Sequence, residues 1–443
     1  MFRRIFLTPF QKFLKFQSSS GILLLLTTII ALIWANSPYF ESYLNLWEYN
    51  VGITTDSFEF KKPLILWVND GLMAIFFFLI GLEIKRELVI GELNSPMKIA
   101  FPLVGAIGGM LVPVAFFLLL NENPATTKGW GIPMATDIAF SLAILNALGN
   151  RVPLSLKVFL TAFAIVDDIG AVLVIAIFYS GSINMILLLI AGLLLAFLYF
   201  MSYKGKYSRF MLIFLGIIVW VLFLKAGIHP TVAGILLAFS VPIKQTINTS
   251  TFLDQLKKVY EDIKGSTILQ KPILSNQQIH RVEDLEDMTE QFQSPLQHLE
   301  HKLHSWVAFL VLPIFALANA GVVIGDVSDM DTALVINIIL SLVLGKGIGI
   351  SLIVMICKKL KLIEVPSDIT FMHIIGVAFL AGIGFTMAIF IASLAFADSP
   401  EFVDSAKIGI LIASFISAII GYVILYMNTK KKVVTVEPEL EES

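Results

Sequence analysis

The sequence has little charge and almost no cysteine. Charged residues make up 14% of its 443 residues, against about 25% in a typical soluble protein. The single cysteine, Cys357, excludes an internal disulfide framework and any CxxC metal site. With a formal net charge of −2, the chain also lacks the basic surface that binds nucleic acid. Hydrophobic residues instead make up 57%, and the mean hydropathy is +0.86. A water-soluble domain cannot bury that much apolar surface, so the composition excludes a soluble enzyme and predicts a protein of the lipid bilayer.

Twelve apolar runs divide the chain. A crossing needs about 20 residues, so the length has room for roughly a dozen spans with their loops. The runs are continuous and do not alternate, which favours helices over a β-barrel. They lie near 21–35, 66–88, 98–120, 127–147, 153–178, 183–202, 208–225, 227–242, 304–325, 333–357, 370–396 and 404–427. The sequence thus predicts an all-α integral membrane protein, with one transmembrane domain over 1–427 and a disordered cytoplasmic tail at 428–443.

The distribution of Lys and Arg predicts the orientation. With the N-terminus in the cytoplasm, eighteen of the 31 basic residues fall in short inner loops and tails, seven in the long inner loop 243–303, and five outside. Lys346 alone falls within a span. This bias follows the positive-inside rule and predicts that both termini are cytoplasmic. The basic start and the apolar run at 21–35 resemble a signal peptide. The basic stretch at 2–16 is long, however, and typical of an interfacial helix, so we expect the first span to remain in the mature protein.

Two loops are longer than the others. The outer loop 36–65 tends towards alternation over 49–60, which predicts a small β-hairpin. In the inner loop 243–303, apolar residues recur at helical spacing beside acidic residues over 279–292, which predicts a surface amphipathic helix. Of the two interpretations of that loop, a surface helix with a role of its own and a solvated charged insertion, we favour the insertion.

Four ionisable residues fall inside predicted spans: Asp137, Asp167, Asp168 and Lys346. Each costs about 2.5–3.5 kcal/mol at a helix centre, so they must face a water-filled cavity or one another. A carboxylate can hold either a proton or a small cation, so the adjacent aspartates predict proton–cation exchange, with a structural salt bridge as the alternative. Lys346 needs an acidic partner, and either member of the doublet fits. The sequence leaves open whether the lysine is structural or carries a proton.

Two spans contain residues that break helices. Pro133 precedes Thr136 and Asp137, where freed backbone groups need polar partners. Glycines within 382–384 interrupt a later span just before Thr386. Paired broken spans in corresponding halves indicate a transporter site. We therefore expect spans three to five to repeat as spans ten to twelve in inverted topology.

The sequence resembles the NhaA family of sodium–proton antiporters over nearly its whole length, in ordered blocks that include GIPMATDIAF, FAIVDDIGAV, AGIHPT, LGKGIGISL and GIGFTMAIF. The resemblance implies an electrogenic, pH-regulated antiporter that expels Na⁺, and also Li⁺, in exchange for entering protons by alternating access. It further implies crossing of the two broken helices, no cofactor, a lipid bilayer and small cations as partners, a homodimer formed partly through the outer hairpin, and a prokaryotic inner membrane.

The resemblance also implies roles for particular residues. Asp168 would be the principal ligand of cation and proton, with Asp167 beside it and paired with Lys346. Asp137 and Thr136 would lie where the two broken helices cross. There Asp137 would offset the partial positive charge at the N-terminal ends of the half-helices, and Lys346 would offset the partial negative charge at their C-terminal ends. The resemblance implies a cytoplasmic pH-responsive cluster of Glu83, Arg86, Glu87, Glu300, His301 and His304. The sequence itself adds His229, near the outer end of a span, as a seventh candidate for the pH response, although a lone histidine there is more often a packed turn residue. The loop 243–303, which is longer than in the best-known members, would bear on that response.

Three other functions would fit parts of the sequence. A sodium-coupled symporter of related architecture would also use broken helices, but the spans show no excess of polar residues for an organic substrate. An intramembrane aspartyl protease would pair Asp137 with Asp168 and leave Lys346 without a role. A passive cation channel would carry current without coupled protons. The sequence therefore predicts a transporter and not an enzyme.

Overall fold

The computed structural model describes residues 9–55, 58–91, 94–245, 247–265, 276–323 and 330–429. Most of the predicted tail, from residue 430 onward, and the start of the basic stretch 2–16 lie outside the described residues. Numbered in chain order, the helices are α1 (Pro9–Ala35), α2 (Phe40–Glu48), α3 (Leu64–Val89), α4 (Pro96–Leu120), α5 (Ile138–Ala147), α6 (Leu154–Phe178), α7 (Met185–Tyr203), α8 (Arg209–Ala226), α9 (Pro230–Ser240), α10 (Thr249–Gly265), α11 (Asn276–Phe292), α12 (Pro295–Asn319), α13 (Thr332–Lys359), α14 (Phe371–Ala381), α15 (Phe385–Ala395) and α16 (Pro400–Asn428).

The described helices account for every predicted span. Eight of them are long and apolar enough to cross a membrane, and three bent helix pairs raise that number to eleven. The shorter apolar helix α9 occupies the place of the predicted span at 227–242. The prediction of a helical membrane protein is therefore confirmed. The physical reason is that a backbone in hydrocarbon must satisfy its hydrogen bonds internally, so continuous apolar runs become helices.

The two long loops contain more helix than the sequence predicted. The outer loop contains α2, and the inner loop contains both the predicted helix, α11, and an unpredicted one, α10. The rings of Phe252 and Phe292 stack at 4.2 Å between centroids, and Arg281 forms an ion pair with Asp262 at 3.0 Å, so these two helices pack together. Helix α12 begins at Pro295, about two turns before the predicted span, because proline is well suited to the first turn of a helix.

The predicted hairpin is confirmed in the outer loop. Strands β1 (Asn50–Thr55) and β2 (Phe58–Pro63) pair antiparallel, with Asn50 opposite Pro63 and Thr55 opposite Phe58. The second strand runs three residues beyond the predicted end. It ends at a proline, which has no N–H to continue the ladder. The turn residues 56 and 57 lie outside the described residues.

Contacts divide the chain into two compact units. The first contains the chain up to Asn69 together with 92–179 and the chain from Ala308 onward, and the second contains 70–91 and 180–307. In the first unit α4 packs against α6 and α13, and in the second α3 packs against α9. The α4–α13 contact is backbone to backbone, because a Cβ on Gly108 would lie 2.5 Å from the Gly349 carbonyl oxygen. Small residues permit such close approach between membrane helices.

Candidate functional site

The first broken span consists of a 3₁₀ helix followed by an α-helix. The 3₁₀ helix runs over Pro124–Met134, and α5 continues after a bend of 47°. Eleven residues is a long run for this kind of helix. At the break, the last carbonyls of the first half and the first amides of the second half have no partner in their own helix. Hydrogen-bond partners for them must come from elsewhere in the fold.

Asp137 caps the helices that begin at both breaks. Its Oδ1 accepts a hydrogen bond from the Phe140 amide at 3.1 Å, in the first turn of α5. Its Oδ2 accepts from the Thr386 amide at 3.1 Å and from the Thr386 hydroxyl at 2.6 Å, in the first turn of α15. The Asp137 amide donates to the Ile383 carbonyl at 2.6 Å, so the two breaks touch. One buried carboxylate therefore faces the positive ends of two helices.

The second broken span is completed by hydroxyl groups from the first. Helices α14 and α15 meet at a bend of 44°. The Thr136 hydroxyl donates to the Ala381 carbonyl at 3.0 Å, and the Ser141 hydroxyl donates to the Leu380 carbonyl at 2.8 Å. These two carbonyls belong to the last turn of α14, where acceptors have no partner within the helix. Side chains of the first broken span thus bond to backbone groups that are free at the second break, and a carbonyl of the second break accepts from an amide of the first.

Lys346 lies at the centre of this arrangement and is fully buried. It follows a π-helical segment of α13 at Ser341–Gly345. Its ammonium donates to the Met134 carbonyl at 2.6 Å, to the Thr136 hydroxyl at 2.6 Å and to Asp167 Oδ2 at 2.9 Å. An ammonium has three N–H groups, and each has an acceptor. Because Met134 ends the 3₁₀ helix, the positive charge faces a negative helix end.

The two aspartates of α6 are both buried, and the structure distinguishes between them. Asp167 is the one that forms the ion pair with Lys346. Its second oxygen, Oδ1, is buried and has no hydrogen-bond partner among the described residues. Side chains of adjacent helical residues point about 100° apart, so Asp168, which is 4% exposed, faces a different direction. A buried carboxylate oxygen without a partner is costly, and it is suited to accept a proton or a cation.

A charged cluster in the second unit joins α3 to α12. Arg86 forms ion pairs of 2.8 Å with both Glu300 and Glu87. Glu83 lies 3.8 Å from the His304 ring nitrogen Nδ1. The members of this cluster lie about one turn apart on each helix, so each helix presents them on one face. The structure therefore brings five of the seven pH-response candidates together.

The other two pH-response candidates lie apart from this cluster. His301 is exposed and takes part in none of the ion pairs found within the described part of the chain. His229 precedes the first residue of α9, where its Nδ1 lies 2.8 Å from the Thr231 hydroxyl. Its Nε2 lies 3.6 Å from an Asp70 carboxylate oxygen. His229 thus has an acidic neighbour of its own.

Two groups at the crossing were not among the predicted site residues. Thr386 donates twice to Asp137, and a signal for it was present, since it follows a glycine break as Thr136 follows Pro133. Met134 contributes its backbone carbonyl to Lys346. A carbonyl is common to all residues, so no side-chain pattern indicates which one will be used.

These features define a class of protein. Apolar membrane-spanning helices broken within their length, with buried carboxylates and a buried lysine at the break, are typical of a secondary transporter. Comparison with known proteins agrees with this class. The chain matches the family model described as Na⁺/H⁺ antiporter 1 over residues 11–425, and it belongs to that family. The resemblance predicted from the sequence blocks is therefore confirmed.

Relatives from several bacteria match nearly the whole chain. A protein of Oleidesulfovibrio alaskensis named Na(+)/H(+) antiporter NhaA is 44% identical, over 95% of this chain and 94% of its own length. A protein of Saccharophagus degradans named Na(+)/H(+) antiporter NhaA 1 is 41% identical, over 95% and 91%. One of Sulfurimonas denitrificans, named Na(+)/H(+) antiporter NhaA, is 43% identical, over 96% of each chain.

Proposed function

We propose that this chain is a transporter that exchanges sodium ions for protons across a membrane. The observation that carries the proposal is the buried pair of Lys346 and Asp167, beside Asp168, at the place where two broken helices touch. Membership of the antiporter family supports it. The relatives whose names state this activity align with 95% of the chain.

Competition for the same carboxylate oxygens couples the two ions. A deprotonated Asp168, with Asp167 beside it, offers hard oxygen ligands to Na⁺, and a protonated one does not. A proton that binds from one side therefore expels the cation, and a cation that binds from the other expels the proton. Alternating access of the site to the two sides of the membrane turns this competition into exchange. Li⁺, another small hard cation, is accepted by the same oxygens.

Lys346 determines how much charge the site carries. Its ion pair with Asp167 offsets one negative charge, and its bond to Met134 offsets a helix end. We propose that exchange is electrogenic, with more protons entering than sodium ions leaving. The membrane potential then contributes about 2.3 kcal/mol per net charge per 100 mV. If the lysine carries a transported proton, Lys346→Ala will make exchange electroneutral. If it is structural, transport will stay electrogenic. Thermal stability will fall in either case, because the ion pair with Asp167 is lost.

The remaining proposals concern regulation and setting. The charged cluster of Glu83, Arg86, Glu87, Glu300 and His304 is the proposed pH-responsive site, because it places a histidine and several carboxylates at ion-pair distance. Histidine is the residue whose charge ordinarily changes between about pH 5 and 8. We also propose a homodimer that uses the outer hairpin, a prokaryotic inner membrane, and cytoplasmic termini. The sodium-coupled symporter is not favoured by the family match.

The test is the collapse of an acid-inside pH gradient by added Na⁺ in everted membrane vesicles. The parent protein should alkalinise the lumen rapidly, and Asp168→Asn should not, because an amide cannot exchange a proton in this way. Asp254→Asn, on the exposed face of α10, is the matched control and should behave as the parent. Exchange by Asp168→Asn at the parental rate, or none by a folded parent at any pH, would contradict the proposal.

A further inference from the structure

The 3₁₀ helix Pro124–Met134 needs support from outside itself. Hydrogen bonds in 3₁₀ helices have poor geometry, and runs longer than three or four residues are uncommon. The last residue of this helix, Met134, supplies the carbonyl that accepts from Lys346, and the Thr136 hydroxyl follows two residues later. Whatever fixes this helix along its axis therefore fixes two of the three acceptors of the buried lysine.

A tyrosine at the end of α6 contacts the middle of this helix. The Tyr179 hydroxyl donates to the Lys128 carbonyl at 2.7 Å and accepts from the Gly131 amide at 3.3 Å. It therefore bonds to two backbone groups that lie one 3₁₀ turn apart. Trp130 packs edge-on against Phe178 at 5.0 Å between ring centroids and lies along the Tyr179 ring at 6.5 Å. Burial raises the pKa of Tyr179 to about 12, so its hydroxyl keeps the proton that it donates.

The 3₁₀ helix is thus attached to α6 at two heights. At one height, Lys346 joins Met134 to Asp167. At the other, Tyr179 holds Lys128 and Gly131. Asp167 and Tyr179 are twelve residues apart, which is about 18 Å along a helix. Hydrogen bonds at two heights oppose sliding of the segment along α6 more strongly than the bonds at the lysine alone.

We propose that Tyr179 is a positioning residue of the transport site, because its hydroxyl fixes the 3₁₀ helix along α6 and so aligns the Met134 carbonyl and Thr136 hydroxyl with Lys346. The transport part of this inference rests on the proposed sodium–proton exchange. The two hydrogen bonds by which Tyr179 holds the 3₁₀ helix, here called the clamp, do not depend on that proposal.

Tyr179→Phe removes the hydroxyl and keeps the ring, so it isolates the two hydrogen bonds. We expect faster amide hydrogen exchange at 128–136, since the Gly131 amide loses its acceptor and the segment loosens. In everted vesicles we expect an apparent KM for Na⁺ about five- to a hundredfold higher, the range for two lost hydrogen bonds. The maximal rate should change less than about twofold. Tyr199→Phe, at an exposed tyrosine of α7, is the matched control and should change neither measurement.

Gly131→Ala tests the same contact from the other side. A Cβ on Gly131 would lie 2.7 Å from the Tyr179 hydroxyl oxygen, but 3.2 Å or more from the ring carbons. Gly131→Ala should therefore displace the hydroxyl and raise the apparent KM as Tyr179→Phe does. In the Tyr179→Phe background it should add little, because the oxygen it strikes is gone.

Each outcome decides a separate point. Unchanged hydrogen exchange at 128–136 in Tyr179→Phe would overturn the clamp. Faster exchange there with an unchanged KM would overturn the positioning role and leave sodium–proton exchange intact. If the parent itself shows no exchange of ions, the proposed function fails. In that case, amide hydrogen exchange at 132–136, next to Lys346, decides the positioning role. Faster amide exchange in Tyr179→Phe than in the parent supports the role, and an unchanged rate contradicts it.

Discussion

The buried ion pair between Lys346 and Asp167 permits a quantitative test. Lys346→Met removes the ammonium and leaves a buried carboxylate without its charge partner. Asp167→Asn leaves a buried ammonium in the same position. Removing one member of a buried pair typically costs about 3–5 kcal/mol, because the remaining charge is uncompensated. Removing both at once leaves neither member of the pair without its partner, so the double variant should be more stable than either single variant.

The melting temperature converts this expectation into a measurement. Unfolding entropy is about 2.1 cal/mol/K per residue, so a chain of 443 residues loses roughly 1 °C per kcal/mol. Each single variant should melt about 3–5 °C below the parent, and the double variant within about 2 °C of it. The assay is thermal unfolding of the purified protein in detergent. Lys206→Met, at an exposed lysine, is the control and should melt as the parent does.

A double variant that loses the sum of the two single effects would refute this reasoning. Additive losses would mean that the two side chains act independently, as residues without a shared interaction do. The interaction read from the 2.9 Å separation would then contribute nothing measurable.

Three further changes have definite expected outcomes. Thr386→Val should lower stability by about 1–2 kcal/mol in thermal unfolding, because the 2.6 Å bond to the carboxylate at the crossing is lost; Thr386→Ser keeps the hydroxyl and should be close to the parent. Gly108→Ala should lower the melting temperature by several degrees, because its Cβ would meet the Gly349 carbonyl. Gly192→Ala, with open space around it, is the control and should not lower the melting temperature. Equal melting temperatures for the two variants would rule out the close contact between α4 and α13. His304→Gln should alter the dependence of exchange on pH, since it removes the ring that lies 3.8 Å from the Glu83 carboxylate. His280→Gln, at an exposed position of α11, should leave the profile as it is, and identical profiles for both variants would exclude His304 from the response.

The sequence by itself determined the spans and the residues that interrupt them. In hydrocarbon an unpaired backbone group is too costly, so continuous apolar runs such as α6 and α13 can only be helices. The breaks near Pro133 and over 382–384 were also predictable, since proline and glycine act on their own segment. The cost of a charge in lipid likewise marked the aspartate doublet and the lysine as members of a site.

Local patterns were less informative in the polar loop. Helix α10 carries Phe252, Leu256 and Val259 at helical spacing, so a signal was present, but charged and polar residues outnumber them. Its packing partner α11 begins after residues 266–275, which lie outside the described part of the chain. The stacking of Phe252 on Phe292 joins residues forty positions apart, a distance over which periodicity carries no information.

Only the tertiary structure decided how the marked residues combine. Asp167 and Lys346 are 179 positions apart, and the sequence allowed either aspartate as the partner. The choice depends on the rotation and height of α6 relative to α13, which are set by the packing of many side chains at once. The same packing places the Asp137 carboxylate where it accepts hydrogen bonds from the first turns of both α5 and α15. It also leaves His301 outside the charged cluster. The cost of burying a charge or an unpaired backbone group acts within one segment, whereas the pairing of groups between segments exists only once the helices are packed.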